Sequence, residues 1–115
     1  MENKYSQAER IFKAFADENR IKILEMLIDG EKYADSILKE LDISQPTLSH
    51  HMKILCESGV VNERKDGRRM YYSISEAGRD MAFDMLAECT MSDSEKKAFL
   101  TKKKSKRNTD NIVIL

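Results

Sequence analysis

Apolar residues fall at helical spacing in five stretches of this chain, and a short stretch between the fourth and fifth reads instead as two strands. Ala8, Ile11, Phe12 and Phe15 share one face of a first helix that follows Ser6-Gln7-Ala8-Glu9, a sequence with capping-box spacing. Ile21, Leu24, Leu27 and Ile28 mark a second helix that Gly30 stops, and the periodic run from Ala34 to Leu41 marks a third. Asp42-Ile43-Ser44 is a tight polar turn. Ser44 then caps a fourth helix that starts at Gln45, with Pro46 in its first turn, where a missing N–H costs nothing. Leu48, Met52 and Leu55 recur at i, i+4 and i+7 as its buried stripe, and Gly59 closes it. Val60 to Arg64 and Arg69 to Ile74 read as strands joined through Lys65-Asp66-Gly67-Arg68, whose Asp-Gly pair is a strong hairpin signal. A last helix opens at Ser75-Glu76-Ala77-Gly78 with two adjacent apolar stripes, Ala77, Met81, Met85 and Ala82, Leu86, Cys89, widened by Phe83. The predicted order is α-α-α-α-β-β-α, mainly α with a small β-hairpin.

The fourth helix carries the candidate chemistry. Gln45, Thr47, Ser49, His50 and Lys53 face away from its apolar stripe, and that outward face holds hydrogen-bonding groups and no acid. A short helix, a three-residue turn and a polar-faced helix are the parts of a helix-turn-helix, whose second helix enters the major groove of DNA. Gln45 suits a bidentate contact to adenine, Thr47 a hydrogen bond or a methyl contact to thymine, and Ser49, His50 and Lys53 phosphate or base contacts; Ser44 and Pro46 set the helix end they radiate from. His51 reads as a partly buried packing or hydrogen-bonding residue. Lys65, Arg68 and Arg69 cluster at the hairpin tip, where a wing touches phosphates or enters the neighbouring minor groove.

In these residues the chain resembles the ArsR/SmtB winged helix-turn-helix repressors. The segments Phe12 to Asp17 and Arg20 to Leu24 look like that family's N-terminal signature, Ser44 to Leu55 like its recognition helix, and Gly59 to Ser73 like its wing, so that the resemblance spans Glu9 to Leu86. It implies a homodimeric repressor on an inverted-repeat operator, released when a metal ion, a metalloid or another small signal binds. It also implies a dimer through the first and last helices, which would draw on Ile11, Phe12, Met81, Met85 and Leu86. The family's ligand positions are another matter. Arsenic- and lead-type members carry a Cys-x-Cys pair where this chain aligns Tyr33 and Asp35, and zinc-type members place His ligands on a last helix that here, from Glu76 to Met91, contains no histidine. The family's standard metal-ligand positions are thus not filled by Cys or His, and the cofactor stays unknown. The only cysteines, Cys56 and Cys89, read either as small hydrophobes or as a nonstandard pair for trivalent arsenic or thiol oxidation.

With 115 residues the chain has room for one domain, taken as residues 1–95 and followed by a basic tail, 96–115. The formal net charge is zero, but it is segregated: Met1 to Ile43 holds seven basic and ten acidic residues, Ser44 to Ser73 five and three, Ile74 to Glu95 one and six, and Lys96 to Leu115 seven and one. The positive balance thus falls on the unit expected to face DNA. No apolar stretch is long enough for a membrane span and no secretory signal is evident, so the expected location is the cytoplasm with reduced thiols. No nucleophile, base and orienting acid occur in a recognisable arrangement, which leaves reversible binding to DNA as the expected activity. Two further readings stay open, a repressor without an inducer that is governed by abundance or a partner protein, and a winged-helix protein-interaction module.

Overall fold

A computed structural model describes residues 2–102, in the order α1 (Lys4–Lys13), α2 (Glu18–Met26), β1 (Lys32–Tyr33), α3 (Ala34–Glu40), α4 (Gln45–Glu57), β2 (Val61–Asp66), β3 (Arg69–Ile74) and α5 (Glu76–Thr90), with residues 93–102 also helical. The chain divides into two compact units, Met1–Phe83 and Asp84–Leu115. The first is a winged helix-turn-helix with the predicted helix and hairpin order and one addition, β1.

That strand lies antiparallel to β3, with Lys32 opposite Tyr72 and Tyr33 opposite Tyr71, and makes the hairpin a three-stranded sheet of order β1-β3-β2. Two residues are too few for any alternation to register in the sequence. The hairpin is also tighter than its sequence suggests. Lys65 and Asp66 stay in the ladder opposite Met70 and Arg69, leaving the two-residue loop Gly67-Arg68. Gly67 has φ +62° and Arg68 a negative φ, the pattern of a loop with glycine first, which matches the twist of the flanking strands.

Helix ends follow side-chain capping, with one departure from expectation. Asn3, and not Ser6, caps α1: its Oδ1 accepts from the Ser6 backbone N–H at 2.9 Å, so Ser6 lies inside the first turn. Asn is as good a cap as Ser, and starting earlier adds nearly a full turn. The same Ser-x-x-Glu spacing does build a reciprocal box at Ser92, whose Oγ accepts from the Glu95 N–H at 3.2 Å while Glu95 Oε1 accepts from the Ser92 N–H at 3.0 Å. Ser44 caps α4 as predicted. Ser58 ends that helix by donating to the Leu55 carbonyl at 2.6 Å and accepting from the Val60 N–H at 3.1 Å, and Gly59 at φ +86° turns the chain into β2.

The core of the first unit is Ala14, Ile23, Leu27, Ile37, Leu48, Met52, Leu55, Val61 and Tyr72. α2, α3 and α4 contribute, with Ala14 at the end of α1, as do β2 and β3. The three predicted stripe residues of α4 are all in it, which anchors that helix and fixes which face is free. In the second unit Met85 and Ala87 are buried, and Lys96 pairs with Glu88 at 3.1 Å. The segment expected as a tail is helical over 96–102; the remainder of its basic run, up to Arg107, and the apolar Ile112 to Leu115 lie outside the described residues.

Candidate nucleic-acid interface

Ser44 both caps α4 and orders its first exposed side chain. Its Oγ accepts from the Thr47 N–H at 3.3 Å and donates to Thr47 Oγ1 at 2.9 Å. Thr47 thereby keeps its own hydroxyl proton for another acceptor. Gln45, Pro46, Thr47, Ser49, His50 and Lys53 are all exposed, and the first turn carries no acid to repel a phosphate. The helix N-terminus adds the positive end of its dipole to the same place. Behind this face the helix packs on β2, with a cleft of about 300 Å³ lined by Ser49, Met52, Lys53, Cys56, Glu57, Glu63 and Tyr72.

The wing separates the predicted basic residues into two groups. Lys65 and Arg68 are exposed and have no ion-pair partner among the described residues. Arg69 is engaged: its guanidinium sits over the Tyr33 ring, 5.0 Å from the centroid, and the neighbouring Tyr71 side chain, followed by Tyr33, lifts its pKa above the ordinary arginine value. Arg64, which the sequence did not single out, lies over Tyr71 at 4.5 Å and grips Glu31 with two bonds of 2.7 and 3.1 Å. These groups share the outer face of the sheet because Arg69 and Tyr71 alternate with Met70 and Tyr72 along β3, and Tyr72 belongs to the core. Tyr33, aligned with a family ligand position, is thus part of a cation and aromatic stack.

Beneath α4 is a cluster that sequence reasoning had only in part. His51 is buried, as expected of a packing residue, and its Nδ1 lies 3.0 Å from Nη1 of Arg20, itself buried. Arg20 also donates from Nε and Nη2 to the Lys13 carbonyl, at 3.2 and 3.0 Å. Asp17 caps α2 by accepting from the Arg20 N–H at 3.1 Å and reaches to 3.8 Å from His51 Nδ1. That backbone bond, with the charges of His51 and Arg20 behind it, holds the Asp17 carboxyl below its usual pKa. A signal was available: Arg20 occupies the apolar stripe it shares with Ile23 and Leu27, and a charge in a stripe demands partners.

Neither cysteine enters a metal-binding constellation, and no group of three or more His, Cys, Asp or Glu side chains placed to hold an ion occurs among the described residues. Cys56 is half-buried, and burial, with Glu63 and Glu57 nearby, pushes its thiol up to about 12. Burial is the largest of these causes and the neighbouring acids add to it, in keeping with the small-hydrophobe reading of this residue. Cys89 is exposed, with Sγ 3.9 Å from Met85 Sδ. Of the residues the resemblance assigns to a dimer, Ile11 and Met85 are already buried within the chain, Phe12 is half-buried, and Met81 and Leu86 are about half exposed. No helix among the described residues is long and apolar enough to cross a membrane.

The expectation of an acid-free outward face holds from Gln45 to Lys53, whereas Glu57, exposed one turn further on, puts an acid at the far end of that face. A winged helix-turn-helix whose second helix presents such a face is the fold of a DNA-binding regulator, and comparison with known proteins identifies which kind. The family described as bacterial regulatory protein, arsR family, matches residues 17–63. An arsenical resistance operon repressor of Staphylococcus aureus is 41% identical over 73 residues, 64% of this chain and 70% of that protein. The arsenical resistance operon repressor of Escherichia coli K12 is 31% identical over 100 residues, 86% of each chain. The solved structure of an ArsR-like transcriptional regulator from Rhodococcus sp. RHA1 superposes with a TM-score of 0.66 at 25% identity, over 91% of this chain and 94% of that one. The chain belongs to the ArsR family. It is a DNA-binding transcriptional repressor of that type, not an enzyme.

Proposed function

We propose that the chain works in the cytoplasm as a homodimer on an inverted-repeat operator, with α4 of each protomer in a major groove and the wing tip on the flanking backbone. Gln45, Thr47, Ser49, His50 and Lys53 read or anchor the groove, and Lys65 and Arg68 neutralise phosphates. One observation carries this reading: the exposed face of α4 holds no acid from Gln45 to Lys53, Glu57 being confined to its far end, and the wing packed against that helix holds two basic side chains with no ion-pair partner among the described residues. The exposed apolar side chains Tyr5, Met81, Phe83 and Leu86 of α1 and α5 support burial against a second copy. Fluorescence anisotropy on operator duplexes selected in vitro, with light scattering for mass, tests both parts. Operator binding with a log–log salt slope of about −0.9 per phosphate neutralised is the expected result. A flat salt dependence, or a monomer on DNA, overturns it.

For the signal we propose something other than thiolate capture, because the start of α3 carries no cysteine. Tyr33 and Asp35 stand there, and Tyr33 is held between Tyr71 and Arg69. A titration of the reduced complex with arsenite, cadmium and zinc separates the cases. Release by arsenite that Cys56→Ser or Cys89→Ser abolishes would make thiolate capture the signal and overturn this.

A further inference from the structure

Arg20 holds three parts of the fold at one point: the end of α1 through the Lys13 carbonyl, its own helix α2, and α4 through His51. A guanidinium only donates hydrogen bonds, so His51 Nδ1 must be the acceptor, with its proton on Nε2 and no charge. His51 sits between His50 on the DNA-facing side and the buried Met52, one turn from Thr47. The contact behind the recognition helix therefore exists in one protonation state of one ring.

We infer that Arg20 and His51 are positioning residues for DNA recognition, and that a proton taken up by His51 releases the recognition helix from α2 and weakens operator binding in acid. This rests on the DNA-reading role of α4 and adds its regulation by protons. Protonated, Nδ1 would turn an N–H toward the N–H of Arg20 and set two positive charges about one hydrogen-bond length apart. The groups facing the ring decide how readily this happens. From α2 these are Arg20, which opposes the charge, and Asp17, which at 3.8 Å favours it; from α4 it is His50, which opposes it. α1 presents the Lys13 carbonyl to Arg20, while its Arg10 and Lys13 side chains line a groove with Ile54 and Glu57 further along α4. Burial outweighs Asp17 and draws the imidazole below its ordinary pKa, so the contact is intact at neutral pH and opens as the medium becomes acid.

The test compares the full-length wild type with His51→Gln, whose amide oxygen accepts from Arg20 and does not titrate. Both proteins keep His50, so its contribution on the DNA face is common to both and drops out of their ratio. Operator affinity is measured by anisotropy from pH 8 to pH 5 at fixed salt, with circular dichroism to confirm that each stays folded. The expected result is similar affinity at pH 8 and a wild-type affinity that falls about fivefold or more relative to His51→Gln by pH 5. A ratio independent of pH overturns the proposal. Absence of operator binding by the wild type at pH 8 would instead overturn the DNA-reading role, and the proposal with it. Should His51→Gln not fold, an NMR titration of the wild-type imidazoles decides: a neutral Nε2–H tautomer titrating below pH 6.5 is expected, and titration above that value overturns the proposal.

Discussion

Gly78, in the first turn of α5, meets the Gly59 carbonyl so closely that a Cβ at Gly78 would overlap it. The start of the last helix thus rests on the turn that ends the recognition helix. Both sites need glycine, for different reasons. Gly59 has open space around it but a left-handed φ of +86°, whereas Gly78 has ordinary helical geometry and no space. Alanine, normally the better helix former, should therefore destabilise the protein at position 78 by about 1–3 kcal/mol in urea unfolding. A neutral or stabilising Gly78→Ala would mean that α5 does not dock there.

Arg68 and Arg69 are neighbours with different employment. Arg68→Ala should make the salt slope of operator binding shallower by about 0.9 per contacting subunit, because one phosphate partner is lost. Arg69→Ala should leave that slope nearly unchanged, since its guanidinium is held over Tyr33 and by Tyr71. Equal changes in slope for the two variants would contradict this division.

Leu55 is fully buried beneath the recognition helix. Leu55→Ala should cost about 2–5 kcal/mol of stability, by loss of apolar burial and by the cavity it leaves. Its operator affinity, measured well below the melting temperature, should fall much less than its stability, because the reading face is unaltered.

The two thiols should separate kinetically. At pH 8 a thiol pushed up to about 12 is almost entirely protonated and unreactive, while Cys89 is exposed. Iodoacetamide followed by peptide mass spectrometry should find Cys89 alkylated first and Cys56 modified only when the protein unfolds. Comparable rates in the native protein would show that Cys56 is not shielded as described.

Asp17 provides the acid limb of stability. Its folded pKa lies below 3.8, so the folded state binds this proton less readily than the unfolded state. The stabilisation is present above about pH 4 and is lost as pH falls through the lower, folded value. Thermal melts of the wild type and Asp17→Asn should therefore converge as the pH drops below 4, and a gap that stays constant down to pH 2 would refute the assignment.

The helices and their buried faces were legible because Leu48, Met52 and Leu55 repeat often enough to define a period. The cap of α1 was not: Ser6-x-x-Glu9 and Ser92-x-x-Glu95 have the same spacing, yet only the second forms a box, since Asn3 competes for the first. β1 was hidden because its partner is nearly forty residues away in sequence and it is only two residues long. Among the candidate interface residues, the outward face of α4 followed from periodicity alone. Which wing arginine is free did not, as that depends on which aromatic rings the strand register places beneath each guanidinium.

Short as it is, β1 ties the beginning of α3 to the wing. Tyr33 is hydrogen-bonded into β3, stacked against Tyr71 and covered by Arg69, and Glu31 just before it holds Arg64 of β2. The position of Arg68, at the far end of the hairpin, is therefore set as much by the two residues ahead of α3 as by the hairpin's own ladder.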